Sequence, residues 1–222
     1  MDATVIKVGG SLALNPQKLR ILCRKLNDIS KKQRLVIVPG GGEFADTVRN
    51  LDKRFDLSSK VSHQMAILAM DQYGYLMADL IGNYYLVDRL ENIQNALNSG
   101  KLVIFLPSSY FACVDPLQNS WDITSDSIAV YIAGQLGACR IVLITDVDGI
   151  FTRDPKKFTD AKLISMLSAK ELESFEERTS VDKYLPKLLS GKKIECYVIN
   201  GLYPKRLKDI FDHKKTICTL II

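Results

Sequence analysis

The sequence predicts an α/β fold, a mainly parallel sheet covered by helices, on three observations. Short β-branched runs alternate with longer amphipathic ones along its 222 residues. Two glycine-rich turns, Lys7-Val8-Gly9-Gly10-Ser11 and Pro39-Gly40-Gly41-Gly42, each follow a short apolar run directly. A third strand-end motif, Thr145-Asp146-Val147-Asp148-Gly149, closes a later apolar run.

The elements follow in order. Thr4 to Val8 is the first strand. Asn15-Pro16 then offers a cap and a proline for a helix whose Leu19, Leu22, Cys23, Leu26 and Ile29 keep helical spacing. Leu35 to Val38 is a second strand, feeding the triple glycine into a helix that runs to about Lys53. Ser58 to Gly82 reads as a long helical stretch, broken near Gly74. Leu102 to Leu106 is a buried strand stopped by Pro107, and Thr124 or Ser125 caps a helix to about Leu136. Ile141 to Thr145 is the strand that delivers Asp146. Ser168 and Glu171 fit a capping box. A helix from Val181 to Gly191, a strand from Cys196 to Ile199, a helix from Pro204 to Phe211 and a strand from Thr216 to Ile222 complete the set.

Composition bounds the function classes. With 47% apolar and 25% charged residues the chain suits one sizeable globular domain or two closely joined lobes. Its net charge of +5 is spread in pairs such as Lys31-Lys32 and Lys192-Lys193 rather than in a basic stripe, which argues against nucleic acid as partner. Five separated cysteines without C-x-x-C spacing read as buried thiols in a reducing cytoplasm. Lys7 and the glycines interrupt the first apolar run, and no segment approaches a membrane span, so a soluble cytoplasmic protein is expected.

Glycines at the carboxyl ends of parallel strands let main-chain N–H groups approach phosphate oxygens, and the following helices add their positive ends. Neither turn matches the P-loop or the dinucleotide fingerprint. A plain strand-to-helix turn is the alternative for each glycine cluster alone.

The three motifs, with Ile150-Phe151-Thr152-Arg153-Asp154-Pro155 after the third, resemble those of the amino acid kinase family in order and spacing. The resemblance implies a three-layer α/β/α sandwich around a mainly parallel sheet. It also implies one domain over 1–222, with an acceptor-binding half to about residue 115 and a nucleotide-binding half after it. Within the family the closer similarity is to the small archaeal-type subgroup that phosphorylates (5-(aminomethyl)furan-3-yl)methyl phosphate in methanofuran biosynthesis. Gly40 to Asp46, His63 to Ile67 with Met70-Asp71, Ser120 to Ser127, Thr179 to Asp182 and Val198 to Gly201 carry it.

ATP and Mg²⁺ are the cofactors so implied, a small phosphomonoester the substrate, and a homo-oligomer the assembly. Lys7 is expected to bridge the transferring phosphoryl group, with Gly9, Gly10 and Gly41 donating N–H groups. Asp146 would orient Lys7 or hold Mg²⁺ through water, and no residue is assigned as a direct metal ligand. Asp148 reads as a turn former. Lys187 stands where many relatives carry a second lysine, although the glycine and methionine usual before it are absent; a solvated helix lysine is the alternative. Cys218-Thr219 replaces the usual Gly-Thr. Further nucleotide contacts fall to Ser11, Thr145, Val147, Gly149, Phe151 and Asp154.

Acceptor contacts fall to Gly40, Gly42, Glu43, Asp46, His63, Asp71, Trp121, Thr124 and Asp126. The acids Glu43, Asp46 and Asp71 suit an ammonium group on the substrate, while Glu43 and Asp46 also suit a helix's first turn. His63 and Trp121 either flank a flat ring or pack as core residues. Isopentenyl phosphate or uridylate is the alternative acceptor. A non-catalytic nucleotide-binding or storage protein is the alternative class, disfavoured by the presence of both Lys7 and Asp146.

Overall fold

The computed structural model describes residues 3–175 and 179–222. The chain begins with β1 (Thr4–Val8), a short 3₁₀ turn at Gly10–Leu14, α1 (Pro16–Ser30), β2 (Leu35–Pro39), α2 (Gly42–Phe55) and α3 (Ser59–Ile81). Next come β3 (Tyr84–Val87), α4 (Ile93–Asn98), β4 (Leu102–Phe105), α5 (Ser108–Val114) and α6 (Ser125–Gln135). Then follow β5 (Arg140–Thr145), β6 (Ile150–Phe151), β7 (Leu163–Ile164), β8 (Met166–Leu167) and α7 (Ala169–Glu173). The chain ends through α8 (Leu185–Leu189), β9 (Glu195–Asn200), α9 (Lys205–Phe211) and β10 (Thr219–Ile221).

Among the described residues eight strands form one sheet in the order β3-β4-β2-β1-β5-β9-β10-β8, and only the β9–β10 pairing is antiparallel. The strands are continuous apolar runs because both faces are covered. Val5, Val36, Val103 and Leu143 pack on one side with α6, α7 and α8. Ile6, Ile37, Ile104 and Val142 pack on the other with α1, α9 and the second half of α3. This is the expected α/β/α sandwich.

Topology places the site. From β1 the chain moves outward through β2 on one side, then returns to lay β5 on the other, in register Lys7↔Leu143 and Val8↔Ile144. Connections leave the carboxyl ends of β1 and β5 in opposite directions, which opens a crevice there. All three sequence motifs end at that edge.

Several local expectations are corrected. α3 is unbroken; Gly74 is there because a Cβ would lie 2.7 Å from Leu106, where the helix crosses the end of β4. α8 is shorter than the expected Val181–Gly191 helix, since Asp182 is drawn into hydrogen bonds that cap α6 and α8. The final strand starts at Thr219 rather than Thr216. Of the cysteines, expected to be buried, Cys23 and Cys196 are, whereas Cys113 and Cys139 are exposed and Cys218 is half-buried, because these three lie at helix ends and loops rather than under the sheet. β3, α4 and α5 were not expected; β3 is a half-exposed edge strand of four residues, too short to show a period.

Candidate active site

The two glycine turns are built against each other. A Cβ on Gly10 would lie 2.0 Å from the nitrogen of Gly42, and one on Gly40 would lie 2.7 Å from the nitrogen of Gly10. Gly42 itself adopts φ +54°, the left-handed region that favours glycine. The N–H groups of Gly10 and Gly41 stand at helix starts, where no intrahelical acceptor exists. Among the described residues neither donates elsewhere. Gly9 differs from expectation: its N–H donates to the Ile144 carbonyl at 2.7 Å, extending the sheet, so it is not free for a phosphate. Its carbonyl accepts a 3.3 Å hydrogen bond from the buried Tyr73 hydroxyl on α3, an anchor the sequence reading missed.

Lys7 is buried, on the same face of β1 as Val5, and so looks toward α6. There it meets Asp126 in the first turn of α6, Nζ to Oδ1 2.7 Å. Asp126 was expected to touch the acceptor, and Asp146 to orient Lys7. The structure gives the pairing with Lys7 to Asp126, because α6 packs over β1, while Asp146 pairs with Lys156 instead.

Asp182 holds that helix start in place. The Thr124 N–H and hydroxyl and the Ser127 N–H donate to its Oδ2, each at 2.9 Å. The Ser127 hydroxyl and the Leu185 N–H donate to its Oδ1 at 2.5 and 2.9 Å. Burial and the nearby Asp126 charge push its carboxyl above the ordinary carboxylate range, against the pull of these donors. Asp182→Ala leaves buried donors unmatched and is expected to cost about 3 kcal/mol, roughly 6–12 °C in Tm by thermal melt.

Two cavities open at the crevice. The first, about 280 Å³, is lined by Lys7, Gly9, Gly10, Ser11, Gly41 and Gly42, and by Glu43, Asp46, His63, Trp121, Thr124 and Asp126. The second, about 860 Å³, is lined by Asp146, Val147, Gly149, Phe151, Asp154 and Phe175 among others. Thr145 and Ser180 line both, so the cavities meet beside the end of β5. Gly40 lines neither; its N–H continues the sheet onto the Val8 carbonyl at 2.8 Å.

Along the first cavity the charges pair differently from expectation. Asp46 accepts from Arg49 Nη1 at 2.6 Å, and the guanidinium carbon lies 4.8 Å from the centre of the Trp121 ring. Trp121 Nε1–H donates to Asp52 at 2.7 Å, tying its loop to α2. Arg49 and Asp52 carried no motif signal. Asp71 lines neither cavity: it accepts from the N–H and hydroxyl of Ser108 and caps α5, and burial raises its pKa. His63 is buried with Nε2 unpartnered, and burial lowers its pKa, so it is neutral near pH 7.

In the second cavity Asp146 accepts from Lys156 Nζ at 2.5 Å. Burial pushes the Asp146 carboxyl up, but the Lys156 hydrogen bond and charge outweigh this and hold it below its ordinary value. Lys156 was not singled out from sequence. Asp148 is more than a turn former: Arg206 and Asn200 donate to its Oδ1 at 2.6 and 2.9 Å and hold the loop against α9 and β9. Thr219 accepts from the Ile150 N–H at 2.8 Å and donates to the Ile164 carbonyl at 2.6 Å, so the loop is held without the usual Gly-Thr pair. Lys187 lines neither cavity. It is exposed on α8 with Nζ 5.2 Å from the centre of the Tyr184 ring, so the structure does not bring it together with Lys7 and Asp146.

A buried strand-end lysine, two apposed glycine turns and paired cavities at a topological switch define a phosphotransferase of the α/β/α class. The chain belongs to the amino acid kinase family, whose profile, "Amino acid kinase family", matches residues 2–200. It is 37% identical over 220 residues to a [5-(aminomethyl)furan-3-yl]methyl phosphate kinase of Methanocaldococcus jannaschii, covering 98% of this chain and 97% of that one. The fold is similar to a crystal structure of uridylate kinase from Archaeoglobus fulgidus, with TM-score 0.80, 21% identity, and 99% and 100% of the two chains covered. It is also similar to T. acidophilum isopentenyl phosphate kinase in a product complex, with TM-score 0.68, 20% identity, and the same coverages.

Proposed function

We propose that this protein transfers the γ-phosphoryl group of ATP to the phosphate of a small amine-bearing phosphomonoester, forming a diphosphate. (5-(Aminomethyl)furan-3-yl)methyl phosphate is the substrate favoured by the 37% identical relative. The observation that carries the reading is the meeting of the two cavities at Thr145 and Ser180, beside Lys7. ATP occupies the larger cavity, in the half of the chain after about residue 115, and the acceptor occupies the smaller. Their phosphates then face each other at the Gly10 and Gly41 N–H groups.

The chemistry is positioning and charge neutralisation. Lys7, steadied by Asp126, bridges the transferring group. Lys156 meets the outer phosphates and releases Asp146. Among the described residues no group of three or more His, Cys, Asp or Glu is placed to hold a metal ion. Asp146, a carboxylate lining the larger cavity, is the residue that would hold Mg²⁺ beside the phosphates, and the ion would supply charge neutralisation there. Asp146→Asn is expected to lower kcat and raise the Mg²⁺ concentration needed for half-maximal rate, read from a Mg²⁺ titration. A cytoplasmic homo-oligomer fits the reading. No helix among the described residues is long and apolar enough to cross a membrane, and Leu68, Tyr75 and Leu76 leave apolar surface exposed on α3.

The test is ADP release by purified protein with ATP, Mg²⁺ and a panel of phosphomonoesters. The aminomethylfuran phosphate is expected to be the fastest acceptor. A higher kcat/KM for uridylate or isopentenyl phosphate would reassign the acceptor and leave the kinase reading standing.

A further inference from the structure

We propose that Arg49 and Asp46 together select a zwitterionic acceptor: Arg49 takes the acceptor's own phosphate, and Asp46, released from Arg49, takes its ammonium group. The inference rests on the phosphomonoester reading above and assigns the residues that enforce it.

The first step is a count of charges. With Lys7 committed to the transferring group, Arg49 is the only other cation among the described residues lining the smaller cavity. Arg49 lies two turns along α2 from the glycines. Long side chains on a helix lean toward its N-terminus, which here is where the acceptor phosphate must lie to meet ATP.

Geometry supplies the second step. Trp121 supports the face of the guanidinium, and the Trp121 indole is itself fixed by Asp52 on the same helix. The hydrogen bond to Asp46 engages Nη1, leaving further N–H donors for a phosphate in the fork geometry that arginine favours. In the unliganded protein, Asp46 therefore occupies one edge of an anion site.

The third step concerns exchange. The Asp46 side chain is 65% exposed, and a solvated i,i+3 pair of this kind is weak. A phosphate dianion can displace it. A ligand with phosphate alone leaves Asp46 unpaired beside Glu43 and close to new negative charge. A ligand that also carries an ammonium group satisfies both halves of the split pair, so selectivity comes from replacing one ion pair with two.

The experiment measures steady-state kinetics of the wild type, R49M and D46N on the aminated phosphate and on its amine-free analogue. KM for ATP and circular dichroism serve as controls for the fold. R49M is expected to raise KM about tenfold or more for both acceptors, with a smaller change in kcat. D46N is expected to raise KM about tenfold for the aminated acceptor and to lower it for the analogue. R49M with KM within about twofold of wild type, or D46N shifting both acceptors equally, would overturn the proposal. If the wild type turns over no phosphomonoester, the kinase reading fails separately. Calorimetric binding of the same two ligands then decides the proposal by the same pattern in Kd.

Discussion

Lys7→Ala is expected to lower kcat roughly 100- to 1,000-fold while KM for ATP changes by less than about threefold. In the proposed reaction the ammonium group would meet the negative charge shared between donor and acceptor during transfer, and its stem is sheltered by β1 and α6. Its removal takes away an interaction that strengthens toward the transition state. It also leaves Asp126 as a buried carboxylate without its partner, so a fall in stability of about 3–5 kcal/mol accompanies the kinetic loss. Assays well below the melting temperature separate the two effects. Near wild-type turnover would remove Lys7 from the reaction.

Gly10→Ala should be the second most damaging change. The added methyl would lie 2.0 Å from the Gly42 nitrogen and 2.2 Å from its α-carbon, distances that only backbone movement relieves. The turns at the ends of β1 and β2 must then separate, carrying apart the Gly10 and Gly41 N–H groups. Activity should fall by orders of magnitude, and overpacking should cost about 1–3 kcal/mol or more in stability. Chemical denaturation and ADP release on the same preparation check both. An active Gly10→Ala enzyme would mean that the apposition of the turns is not needed.

Much of this site was legible from sequence where short-range rules apply. A strand ending in glycine, a lysine two residues before it and a carboxylate at another strand end are local patterns, and the parallel sheet brings their carboxyl ends to one edge. Pairings across the fold were not legible. Lys7 finds Asp126 rather than Asp146 because of the side on which α6 packs, and no spacing along the chain reports that. Lys156 and Arg49 lay in segments that read as ordinary charged surface. Asp71 and Asp182 are both acids near motif residues, yet each is spent on a helix start, α5 for one and α6 with α8 for the other. Lys187 stands at a position that fits a family pattern, yet α8 turns its side chain outward over Tyr184, away from both cavities.

The central claim is that a phosphoryl group passes from ATP to a phosphate oxygen of the acceptor. Phosphorus NMR of a reaction containing the protein, ATP, Mg²⁺ and (5-(aminomethyl)furan-3-yl)methyl phosphate tests it directly. The expected spectrum gains the coupled signals of a new P–O–P linkage in step with ADP, at the expense of the monoester signal. ADP with inorganic phosphate and an unchanged monoester, or a phosphorus–nitrogen product at the amine, would contradict the account.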